Sequence, residues 1–145
     1  MSKIFTLNEA QTVLPVVEAL LRRAQAAATL TGELEQEMQH LSHRIFRSGG
    51  MHVNVTVAAR RRAQRDKAMQ EAKDTLAEID SIGVVVKDLD QGLLDFPSLM
   101  DGKTVLLCWK LGEPGIAYWH TEEEGFAGRK PLDPQLGKTE RERPN

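Results

Sequence analysis

The chain has 145 residues, with 19 lysines and arginines against 21 aspartates and glutamates, a formal charge of −2. Hydrophobic residues make up 41% and charged residues 28%, which excludes wholesale disorder and fits one globular domain. The single cysteine, Cys108, excludes an internal disulfide framework and any multi-cysteine zinc or iron–sulfur site. The start MSKIFTLNEAQ has no apolar leader, and no run of about 18 apolar residues occurs, so a cytoplasmic protein with no membrane partner is expected.

Helical signals fill the first half. Thr6-Leu-Asn-Glu9 has capping-box spacing, and Phe5 and Ala10 stand where a hydrophobic staple would close over the cap. Leu7, Ala10, Leu14, Val17, Leu21, Ala24, Ala28, Thr31, Leu34, Met38, Leu41 and Ile45 then recur at steps of three and four. That is a heptad-like, coiled-coil stripe for a partner helix. Pro15 forfeits one helix bond and predicts a kink. The shifted spacing at Thr31-Gly32 predicts a bend or break, and Gly49-Gly50 a stop. A second helix is predicted from Asn54 or Thr56 to about Ser81, with Val55, Ala58, Arg62, Arg65, Met69, Ala72, Leu76 and Ile79 on its inner face. The short connection makes the helices antiparallel neighbours and sets Glu37 opposite Arg65 and Glu35 opposite Lys67. The first helix reaches about 60 Å and the second about 40 Å, so the amino-terminal stripe overhangs and calls for another surface. A homodimer is expected on that ground.

The pattern changes at Gly83. Val84–Val86, Leu93–Phe96, Thr104–Trp109 and Ile116–His120 read as short strands, separated by the turn signals Asp90-Gln-Gly92, Asp101-Gly102 and Gly112-Glu-Pro-Gly115. The expected fold class is therefore α+β: a long antiparallel two-helix hairpin packed on a four-stranded antiparallel β-meander. A single domain over residues 1–145 is expected, with the hairpin at about 6–82 and the meander and a polar tail at about 83–145.

The same segments carry a likeness. Gly83 to Asp88, followed by Leu89-Asp90-Gln-Gly92-Leu93-Leu94-Asp95-Phe96-Pro97, resembles one block of a bacterial family catalogued as domain of unknown function 2203. Cys108-Trp109-Lys110-Leu111-Gly112-Glu113-Pro114, Tyr118-Trp119-His120 and Glu124-Gly125-Phe126-Ala127-Gly128-Arg129 resemble others. With Phe5-Thr6-Leu7 and Gly49-Gly50, the likeness spans nearly the whole chain. The resemblance implies a small bacterial protein and attaches no activity, substrate or cofactor to it.

Four groups of residues compete for a role. Glu37-x-x-His40-x-x-His43 has metal-like spacing, but its histidines fall away from the packing stripe and are expected at the surface. Arg44, Arg47, Arg60, Arg61, Arg62, Arg65 and Lys67 form a basic hairpin tip. Nucleic-acid binding there is not expected, because glutamates stand opposite and no aromatic residues interleave for base stacking. Gly125 to Lys130 reads as a structural turn carrying Phe126 into the core. The densest group is in the meander: Asp95, Trp109, Glu113, Tyr118, Trp119, His120 and Arg129, where aromatic walls and a few convergent polar groups have the make-up of a ligand pocket. An ionised Asp95 beside His120 would orient the imidazole for proton transfer or metal binding, Trp109 and Trp119 would wall the pocket, and Arg129 would hold an acidic ligand. A divalent metal would be held by His120 with Glu122, Glu123 or Asp95, Glu123 being the partner favoured. Cys108, among apolar neighbours, reads as a buried, inert thiol.

The reading favoured is a non-enzymatic, cytosolic helical-hairpin protein acting through self-association or partner binding. The alternative is a small-ligand- or metal-binding protein, or an enzyme, with its site around His120. A second alternative is nucleic-acid binding through the basic tip.

Overall fold

The capping box at Thr6 forms in the computed structural model, which describes residues 3–47 and 55–132. The Thr6 amide donates to Glu9 Oε1 (2.9 Å) and the Glu9 amide to Thr6 Oγ1 (3.1 Å). The Thr6 amide, assisted by the nearby Lys3, holds the Glu9 carboxyl below the usual range. Helix α1, Leu7–Arg47, runs on from the cap through both Pro15 and Gly32 without interruption. The expected break at Thr31-Gly32 does not occur. There the half-buried Thr31 returns its hydroxyl to the Ala27 carbonyl (2.8 Å), within a helix that continues past it. Helix α2 spans Val55–Ile82. The Gly49-Gly50 stop, the Asn54 cap and the polar tail beyond Leu132 lie outside the described residues.

Five strands follow: β1 Val85–Asp88, β2 Leu93–Met100, β3 Lys103–Lys110, β4 Tyr118–Thr121 and β5 Lys130–Pro131. They pair antiparallel in the order β1-β2-β3-β4-β5, a meander with one more strand than expected. The extra strand is two residues long and contains a proline, too little for a sequence pattern to betray. Asp101 and Gly102 join β2 to β3 with both φ angles positive, 53° and 78°, as a two-residue hairpin turn requires. The register that this turn imposes places Asp95 opposite Cys108 and Phe96 opposite Leu107.

The chain divides into two compact units: one runs up to Leu21 and resumes at Leu76, and the other spans Arg22–Thr75. In the first, Ala10, Leu14, Val17, Leu20 and Leu21 of α1 and Ile79 of α2 are buried in one core with Leu94, Phe96, Leu107 and Trp109 of the sheet. Phe5 meets Phe96 edge to face, with centroids 5.5 Å apart. The Gln11 side chain exchanges two hydrogen bonds with the backbone of Ile116. The overhanging apolar stripe, the basis for expecting a dimer, is thus covered by the sheet of the same chain.

In the second unit Ala24, Ala27, Leu34, Ala68 and Thr75 are buried between the helices. Ion pairs join Arg23 to Glu71 (3.7 Å), Glu37 to Arg61 (3.0 Å) and Glu35 to Arg65 (3.7 Å). Both glutamates therefore meet arginines nearer the start of α2 than the simple turn count predicts. The inner face of α2 differs as well, since Ala68 and Thr75 are buried while Arg62 is exposed. An alanine- and arginine-rich helix has little apolar contrast, so periodicity alone fixes its phase poorly.

Candidate functional site

Side chains alternate across a strand, and directly paired residues share a face. Leu94, Phe96, Leu107, Trp109 and Trp119 therefore lie on one face of the sheet. Asp95, Cys108, Tyr118 and His120 lie on the other. Over that second face Arg129 is stacked between the rings of Tyr118 (3.9 Å) and Phe126 (4.4 Å), and the Lys110 ammonium sits 5.5 Å from Phe126. Phe126, in a single 3-10 turn, is a half-buried cover for the guanidinium and not part of the core as expected.

At the centre of this face His120 reaches diagonally across β3 to Asp95. Its Nε2 lies 3.1 Å from Asp95 Oδ1, and both residues are only 1% exposed. The strand between them carries the small Cys108 side chain at that point, which leaves room for the contact. The other ring nitrogen, Nδ1, is 2.7 Å from the Thr121 carbonyl oxygen. A carbonyl only accepts, so Nδ1 carries a proton and donates it. Nε2 and Oδ1 then hold one proton between them, either as imidazolium and carboxylate or as neutral imidazole and carboxylic acid. Burial pushes the Asp95 carboxyl up, opposed by the His120 hydrogen bond, by the charges of His120 and Lys87 and by a hydrogen bond from Cys108. Asp95 Oδ2 is buried without a hydrogen-bond partner among the described residues.

Cys108 completes the group. One ligand atom each from Asp95, Cys108 and His120 lies within 4.8 Å of the others, and all three residues are buried. Desolvation, reinforced by the Asp95 charge, pushes the Cys108 thiol up to about 11. The thiol is therefore unreactive by itself, as the sequence suggested, yet it stands beside the pair in a position that composition did not reveal. The signal was present: counting outward from the two-residue Asp101-Gly102 turn brings Asp95 opposite Cys108.

The other expected site residues are divided. Glu113 and Arg129 form a two-oxygen ion pair, Nη2 lying 2.8 Å from Oε1 and 2.9 Å from Oε2. Glu113 also accepts from the Lys110 amide (2.7 Å), and its carbonyl accepts from Trp109 Nε1 (3.1 Å). Arg129 thus commits Nη2 to Glu113, while its Nε is buried without a hydrogen-bond partner among the described residues. Trp109 and Trp119 do not wall the His120 site, because strand alternation turns them to the opposite face. Trp119 instead carries Lys130 over its ring (4.7 Å) and lines a cleft of about 520 Å³ with Met100, Lys103, Thr121 and Glu123. Glu123 is exposed there, and the groups gathered at His120 are Asp95 and Cys108 in its place. On α1, His40 and His43 are exposed, and Glu37 pairs with Arg61.

Comparison with known proteins gives one result, on the family side. No curated protein matches the chain and no solved structure does. The family described as "Uncharacterized conserved protein (DUF2203)" matches residues 3–132, which takes in both helices and all five strands, and the chain belongs to that family.

Proposed function

We propose that this protein binds a small ligand or metal ion at the buried face of its meander, with His120 and Asp95 at the centre. The observation that supports this most is the unsatisfied oxygen, Asp95 Oδ2. A carboxylate acceptor buried to 1% exposure normally has a partner, and the cost of leaving it without one is about 1–3 kcal/mol. Such an oxygen, beside a proton-sharing imidazole and the Cys108 thiol, supports a bound ligand at this face. Native mass spectrometry of the purified chain tests this reading. The wild type is expected to carry an added mass that unfolding releases, and Asp95→Asn, which preserves shape, is expected to lack it. A wild type with no added mass and no affinity for added metal ions or metabolites would count against the reading.

A second reading concerns residues 22–75. Leu30 and the helix-end residues Phe46 and Val55 leave 47%, 83% and 69% of their surface exposed. The exposure of Phe46 and Val55 at the helix ends is the observation that favours partner binding or self-association through the helical pair. Light scattering at micromolar concentration is expected to give a dimer that Phe46→Ser weakens. A wild-type mass of 16.2 kDa, that of one chain, would contradict self-association.

A further inference from the structure

We infer that Asp95, Cys108 and His120 form a binding site for a divalent transition-metal ion of the zinc class, held by the Asp95 carboxylate, Cys108 Sγ and His120 Nε2. The inference rests on the ligand-site reading above and goes further by naming the ligand and adding Cys108 to the site. Each donor stands on a different strand of three that are hydrogen-bonded side by side, so the backbone holds the donor set in place. The donor atoms lie within 4.8 Å of one another. Zinc–sulfur and zinc–nitrogen bonds of about 2.3 and 2.0 Å put tetrahedral ligand atoms roughly 3.3–3.6 Å apart. Small side-chain adjustments therefore suffice to close the group around an ion.

Three further features fit a metal. Metal-bound histidines usually donate their second nitrogen to a carbonyl or carboxylate, and here Nδ1 donates to the Thr121 carbonyl at 2.7 Å, leaving Nε2 toward the site. Asp95 Oδ2, without a hydrogen-bond partner among the described residues, supplies an acceptor that a cation would satisfy. A carboxylate, a thiolate and a neutral imidazole together balance the two charges of the ion, so the buried complex is neutral. The sulfur and nitrogen donors select zinc, cobalt or copper over magnesium and calcium, which prefer oxygen alone. Three protein donors leave the fourth tetrahedral position to an exogenous ligand.

Cobalt(II) titration of the chelator-stripped full chain decides the matter. One equivalent is expected to produce a thiolate-to-cobalt absorption band and the intense visible bands of a four-coordinate ion, both removed by zinc and unaffected by excess magnesium. Cys108→Ser is expected to abolish the thiolate band, and Asp95→Asn to weaken binding at least about tenfold. Both are nearly isosteric, and far-UV circular dichroism is expected to show them folded. Absence of any cobalt band from a folded wild type would overturn the metal inference. Should an organic molecule still be retained in the native mass spectrum and lost from Asp95→Asn, only the metal assignment falls. Loss of both signals would remove the ligand site as well.

Discussion

Asp95→Asn removes a buried charge while presenting an amide that donates to neutral His120 Nε2. The variant is therefore expected to melt at the wild-type temperature or above it. His120→Ala does the reverse, leaving a carboxyl buried to 1% exposure with no imidazole beside it. Its expected cost is about 3 kcal/mol or more, read from urea unfolding. The pH dependence follows with a definite sign. Asp95 is raised above its ordinary value of 3.8, so the folded chain holds that proton more tightly than the unfolded one. Stability supplied by this group is full below that value and is lost as pH rises through the raised one. The wild type minus Asp95→Asn difference, measured on chelator-treated protein, is expected to fall with rising pH across that window. At this scale the meeting of Asp95 and His120 was legible in the sequence, because both belong to a meander with short turns. The place of Cys108 was legible too, by counting back from the Asp101-Gly102 turn, and the same alternation sets Trp119 on the opposite face from His120.

Among the elements, the amino-terminal cap and the Gly83 turn are the most exposed to single changes. Thr6→Ala removes the acceptor for the Glu9 amide and is expected to cost about 1 kcal/mol, measured as a shift in unfolding midpoint. Gly83 adopts a φ of 105°, and a Cβ there would collide with the Lys3 side chain. Gly83→Ala is expected to destabilise by more than about 1 kcal/mol, since the backbone strain and the clash add. The stripe of α1 was legible because strong apolar residues alternate with charged ones, and Ala10, Leu14, Val17, Leu21, Ala24 and Leu34 are all buried as spaced. The phase of α2 was not, since alanines and arginines mark no sharp face. In the structure Glu35 and Glu37 meet Arg65 and Arg61 along this seam, while Ala68 and Thr75 are buried in it. Strand β5 has no signature of its own, because pairing with β4, and not its two residues, makes it a strand.

For the whole molecule, the two units differ in what holds them. Residues up to Leu21 and from Leu76 onward share a core that includes Trp109, Phe5, Phe96 and Leu21. Residues 22–75 bury chiefly small side chains and add partly exposed ion pairs, which contribute little each. Hydrogen exchange is expected to show the amides of 22–75 opening at lower free energy than those of Leu14–Leu21 and of β3. Uniform protection across both helices would contradict that division. With Arg61 and Arg65 paired to glutamates, the basic end of the helices is expected to bind neither RNA nor duplex DNA at about 150 mM salt, and submicromolar binding would contradict this. Above all, the buried Asp95 is held to serve a ligand and not to brace the fold. Zinc titration calorimetry on chelator-stripped wild type and Asp95→Asn, paired with their melting temperatures, tests this most directly. The expected result is one zinc per wild-type chain, with affinity at least about tenfold lower in a variant that melts no lower. A variant that melts far below a wild type that takes up no zinc would contradict it.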